Sequence, residues 1–80
     1  MNRLTIKYFG ILSDKVGKDS EEWEVPSNAK VSDLLHLVHE KYPVVADFTY
    51  MISQNHKMTN KDASLSQAAE LALLPPFAGG

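Results

Sequence analysis

Only one stretch of the chain carries the periodicity of a long helix, and that limits what its 80 residues can build. In residues 30–43, KVSDLLHLVHEKYP, the apolar side chains of Val31, Leu34, Leu35, Val38 and Tyr42 share one face, the spacing of an amphipathic helix. Ser32 is placed to cap this helix, and Asp33 sits in the first turn, where the helix dipole favours a negative charge. Pro43 stops it and biases Tyr42 towards an extended conformation. A single helix of this length can cover one face of a sheet and no more, so the rest of the chain has to supply that sheet.

The flanking segments do so. Leu4, Ile6 and Tyr8 alternate through residues 3–9, a strand closed by Gly10. ILSDKVG then reads as a short helical turn, with Ile11, Leu12 and Val16 on one side and Gly17 supplying the left-handed residue that ends it. In SEEWEV a second strand points Glu22 and Glu24 to water and Trp23 and Val25 inward, until Pro26 ends it. Beyond the helix come a strand-like YMIS, turn chemistry at Asn55, the short KMT, a second turn at residues 60–62, and a last strand, ELALL. Strands first and last with one helix between predict an α+β fold, a sheet with the helix packed across one face. Residues 1–74 are expected to form that one domain and residues 75–80 an extended tail.

Composition excludes much. With 44% hydrophobic and 22% charged residues the chain is that of a folded domain, and at this length it buries roughly 60% of its unfolded surface, leaving no room for a deep catalytic cavity. Eight Lys and Arg against ten Asp and Glu give a net charge of −2 without a basic stripe, which argues against nucleic acid as a partner. No stretch is long and apolar enough for a signal-peptide core or a membrane span, so the expectation is a cytoplasmic protein without a membrane role. The absence of cysteine removes disulfides, thiolate catalysis and most zinc sites. His36, His39 and Glu40 cluster on the helix, but the wheel turns them to solvent, and no metal site is expected. Ser13 and Asp14 lack the elbow that would hold a nucleophile, and the four glycines form no phosphate-binding loop with a lysine.

What remains is the ending, LLPPFAGG. A free terminus gains little by ordering and is normally polar, whereas this one carries Pro75, Pro76, Phe77, Ala78, Gly79 and Gly80. The prolines lack amide hydrogens and favour a polyproline II arm, and residues 75–80 can reach roughly 20 Å at about 3.3 Å each. Phe77 can anchor in a partner's groove, while Ala78, Gly79 and Gly80 are slim enough for a narrow channel. No β-carbon crowds a nucleophile approaching the last carbonyl. An α-carboxylate is ionised at neutral pH and a poor electrophile; it has to be activated, as an acyl-adenylate, and without a phosphate-binding loop of its own the chain needs a partner to do so.

IKYFGILSDKVG, KVSDLLHLVHEKYP and ELALLPPFAGG, in that order, resemble the small, sulfur-carrying subunits of molybdopterin synthase, the MoaD-type proteins, over essentially the whole chain. The Pro-Pro-x-x-Gly-Gly ending behind an apolar strand is the most specific part. The resemblance implies a ubiquitin-like β-grasp fold. It also implies that Gly80 is adenylated by an E1-like enzyme, carries AMP and then sulfur as a thiocarboxylate, and binds no resident cofactor. The tail would then enter the large catalytic subunit, in a heterotetramer whose two carriers supply both dithiolene sulfurs from cyclic pyranopterin monophosphate. Phe9, Met58 and Leu74 match the family's exposed apolar patch, with Phe77 added from the tail. The chain departs from the family pattern at Gln67, Ala68 and Ala69, where a Gly-Asp turn is usual, and at Phe77, where a β-branched residue is common. Two other uses of the same ending stay open: a ubiquitin-like protein modifier and a sulfur carrier for thiazole synthesis in the thiamine pathway.

Overall fold

The computed structural model describes residues 2–65 and 70–75. The elements run β1 (Asn2–Tyr8), α1 (Ile11–Val16), β2 (Ser20–Val25), α2 (Val31–Lys41), a 3-10 helix (Pro43–Asp47), β3 (Met51–Gln54), β4 (Lys57–Thr59) and β5 (Glu70–Leu74). The five strands form one sheet in the order β2-β1-β5-β3-β4. The first and last strands of the chain lie side by side and parallel, Tyr8 opposite Leu73, while the other pairs are antiparallel.

Strand alternation divides the sheet into two faces. Leu4, Ile6 and Tyr8 of β1, Val25 of β2, Ile52 of β3 and Leu71 and Leu73 of β5 point to the covered side. There they meet Val31, Leu34, Leu35 and Val38 of α2, Leu12 of α1, Val45 of the 3-10 helix and Leu65. This is the face the helical spacing predicted, and Tyr42 joins it half-buried. Gly17 ends α1 at φ 87°, as expected of its position. Asn55 and His56 both take positive φ, 50° and 71°, which makes the β3–β4 connection a two-residue hairpin turn of the kind that matches strand twist. Asn60 accepts the Asp62 amide on its side chain at 2.9 Å and closes the second turn.

Two local expectations, the Ser32 cap and a solvent-facing His39, are corrected. Ser32 does not cap α2. The helix begins at Val31, two residues earlier than a Ser32 cap would place it, so Lys30 is the N-cap residue and the Asp33 carboxylate, at the third helical position, accepts the Lys30 amide at 2.9 Å. The segment after Pro43 is a 3-10 helix that buries Val45 completely. His39 does not face solvent: its Nε2 lies 2.7 Å from the Tyr50 hydroxyl, with the two rings edge to face. Burial, then Lys61 and His36 nearby, hold this imidazole below its ordinary pKa. His36 and Glu40 do face water, 3.5 Å apart.

Glu21 is the carboxylate of the covered face. The alternation that sends Glu22 and Glu24 outward turns Glu21 inward beside Trp23, and its side chain is only 11% exposed. It accepts from Trp23 Nε1 at 3.0 Å, from the Tyr42 hydroxyl at 3.0 and 3.1 Å and from the Tyr8 hydroxyl at 3.3 Å. Lys41 reaches it at 2.6 Å and Lys18 at 3.3 Å. Lys41 also stands 5.3 Å above the Trp23 ring. Burial first, then the Glu21 charge, pushes the Tyr8 phenol well above its ordinary value, so it stays a donor.

Candidate functional site

The face of the sheet opposite α2 is uncovered among the described residues, and its two halves differ. On the β1–β2 half the outward side chains are polar, with Arg3 paired to Glu24 at 3.2 Å and Thr5 opposite Glu22. On the other half they are largely apolar, with Ser53 among them. Leu74 of β5 stands opposite Met51 of β3, and Ala72 opposite Ser53, which in turn faces Met58 of β4. Phe9, one residue past β1, continues that strand's alternation to the same face and donates its amide to Leu73 O at 3.3 Å. Phe9 is 42% exposed, Met51 45% and Met58 55%, with Leu74 half-buried between them. An ion pair between Lys7 and Glu70 at 3.1 Å marks the border of the two halves.

The three body positions expected to form an interface, Phe9, Met58 and Leu74, thus lie on one face. Met51 belongs with them and was not anticipated; only the β3–β5 register sets it against Leu74. Methionine and phenylalanine stand exposed side by side on this face, a surface whose burial would be favourable and whose methionines could adapt to a partner's shape.

β5 leads out of this surface. Its hydrogen-bonded course ends at Leu74, and Pro75 follows against Gly10. Of the expected tail, Pro75 is described; Pro76, Phe77, Ala78, Gly79 and Gly80 lie outside the described residues, as does the turn at 67–69. Among the described residues no three His, Asp or Glu side chains group as metal ligands, and no helix is long and apolar enough to cross a membrane. His56 stands in the β3–β4 turn, 3.8 Å from Glu70.

A mixed five-stranded sheet whose first and last strands run parallel at its middle, with one long helix across one face, is the ubiquitin-like β-grasp fold. The same fold is found in SAMP1 from Haloferax volcanii, at TM-score 0.84 and 22% identity over 99% of this chain and 100% of that one. A Pyrococcus furiosus protein assigned as molybdopterin converting factor subunit 1 matches at TM-score 0.87 and 22% identity, over 96% of this chain and 100% of the other.

Residues 6–80 match the ThiS family, and the chain belongs to it. Among curated proteins it is similar to the molybdopterin synthase sulfur carrier subunit of Caenorhabditis briggsae, 26% identical over 84 residues that take in the whole of both chains.

Proposed function

We propose that this chain is the sulfur carrier of a molybdopterin synthase and that its reactive atom is the terminal carbonyl carbon of Gly80. The observation that carries the reading is the placement of β5: the strand ends in Leu74 on an uncovered apolar face and Pro75 follows it, so a partner seated on that face lies close to the start of the tail. Family membership and the full-length similarity to a sulfur carrier support it.

The Gly80 carboxylate attacks the α-phosphorus of ATP in the active site of an E1-like enzyme, and pyrophosphate leaves. A sulfur nucleophile then attacks the acyl carbon and AMP leaves, so oxygen is exchanged for sulfur at the terminus. The thiocarboxylate next enters the large subunit, which directs its sulfur to cyclic pyranopterin monophosphate. Nothing in this sequence asks the folded body to do chemistry; its work is to bind each partner in turn and present the tip.

Incubation with an E1-like enzyme, ATP and a sulfur source should raise the intact mass by the difference between one sulfur and one oxygen. Conjugates on target lysines with no thiocarboxylate would make the chain a protein modifier instead, and sulfur passed only to thiazole synthesis would place it in the thiamine pathway.

The docking face gives a second expectation. Met58→Arg should weaken binding of the large subunit by about 2 kcal/mol, because a charge would be desolvated without a partner. The fold should change by less than about 0.5 kcal/mol, since Met58 is more exposed than buried. Titration calorimetry alongside thermal unfolding checks both, and an affinity equal to the parent's counts against this face.

A further inference from the structure

Gly10 carries a conformation and a contact that its role as the end of a strand does not require. Its φ of 59° with ψ of −131° lies in the mirror image of the extended region, which residues with a β-carbon rarely occupy. A Cβ built there would lie 3.0 Å from Pro75 Cγ and 3.8 Å from Pro75 Cδ, and among the described residues it would meet nothing else within 4 Å. The hydrogen that Gly10 has in place of a side chain therefore makes room for the ring at the root of the tail.

The ladder explains why the ring is there. Phe9 N donates to Leu73 O, and in a parallel pair the next bond runs from the amide of residue 75 back to Phe9 O. Proline has no such hydrogen. Phe9 O instead accepts the Leu12 amide at 3.1 Å, at the opening of α1. The parallel ladder thus ends at this residue, and the ring of Pro75 rests against Gly10.

Gly10 itself is held. Its carbonyl accepts the Ser13 amide at 3.1 Å, the Asp14 amide at 3.4 Å and the Ser13 hydroxyl at 2.9 Å. A side chain added at Gly10 meets a backbone fixed by these three bonds on one side and, on the other, the ring of Pro75, which stands past the last residue of β5. The tail root has to give.

The geometry points to Gly10 as a positioning residue that, through Pro75, sets the direction in which the chain leaves β5 towards a partner's active site. This deepens the carrier reading and rests on it. Neither residue meets the reacting atoms; both act on where those atoms arrive, and a misplacement of about 1 Å is enough to cost a hundredfold in rate.

The test is a double-mutant cycle on adenylation by the E1-like enzyme, with the parent chain as the first arm. Absence of adenylation in the parent overturns the carrier reading itself. With the parent active, Gly10→Ala and Pro75→Ala should each lower kcat about tenfold or more, while affinity for the enzyme, set by the apolar face, stays within about twofold. Because both changes act on one contact, the double variant should be no slower than the slower single one. Pro75 stands just past the last residue of β5, and Pro75→Ala adds an amide hydrogen to the backbone, so it decides the question alone should Gly10→Ala fail to fold. A parental kcat for Pro75→Ala, losses that multiply in the double variant, or loss of affinity in step with kcat would overturn the proposal.

Discussion

Deleting Gly80, or adding one residue after it, is expected to abolish sulfur transfer while leaving thermal unfolding almost unchanged. In the extended chain the Gly80 carbonyl becomes an amide, which cannot attack ATP, and the new carboxylate sits about 3.3 Å too far along the channel. In the shortened chain the carboxylate stops short by the same distance. Displacements of that size take reacting atoms out of attack range, where a misplacement of about 1 Å already costs roughly a hundredfold. The body should not notice: among the described residues the last registered pair of the sheet is Met51 with Leu74, ahead of the prolines, so the change in stability should stay below about 0.5 kcal/mol. Calorimetric unfolding and a molybdopterin synthesis assay with both partner enzymes measure the two halves of the expectation. A variant lacking Gly80 that still supports synthesis would sink the assignment of the reactive atom.

The sequence made the body legible wherever local pattern and tertiary packing ask for the same thing. Leu4, Ile6 and Tyr8 alternate because one face of β1 is covered, and Val31, Leu34, Leu35 and Val38 repeat at helical spacing because they cover it. Gly17 and Asn55 announce their turns through backbone chemistry that few other residues tolerate. Ser32 misled because serine is a good cap in general, whereas the helix here starts two residues earlier and uses the carboxylate of Asp33. The 3-10 helix was hidden because its pattern is too short to show a period, and burial of Val45 is decided by α1 and α2 around it.

The candidate site divides along the same line. The ending stands out in the sequence because its unusual residues are consecutive, and all of them but Pro75 lie outside the described residues. Phe9, Met58 and Leu74 came from the resemblance, and no periodicity identifies them: they lie just past β1, on β4 and on β5, and only the register β1-β5-β3-β4 brings them to one face. Met51 escaped notice for that reason. Gly10 was read as the end of a strand, and its contact with Pro75, 65 positions later, is a fact of the fold alone.

Glu21 is the residue whose loss should destabilise the body most among the polar ones described. Three consecutive strand positions hold Glu21, Glu22 and Trp23, and nothing in the sequence distinguishes the first carboxylate from the second except the phase of the alternation. In the fold it ties β2 to β1 through Tyr8 and to the end of α2 through Tyr42 and Lys41. Glu21→Ala would leave two phenol hydroxyls and the Trp23 indole without their acceptor, a cost of about 3 kcal/mol. Acid should have a related effect on the parent chain. Burial alone would raise the Glu21 pKa, but hydrogen bonds from Lys41, Tyr42 and Lys18 outweigh it and bring it from 4.5 to about 2. A carboxylate depressed on folding stabilises the protein fully above its unfolded pKa, and this contribution fades as the pH falls through the folded value. On the order of 2 kcal/mol should therefore disappear between about pH 5 and pH 2, solvent screening allowed for. Glu21→Gln, which cannot titrate, removes this component, so subtracting its denaturation midpoints from the parent's isolates it from the other carboxylates. Equal losses in the two proteins over that window would show that the network is not the source. Because the cluster lies on the covered face, away from Met51, Met58 and Leu74, adenylation of the folded Glu21→Gln protein at neutral pH should proceed at the parental rate, separating what keeps the body folded from what happens at its tip.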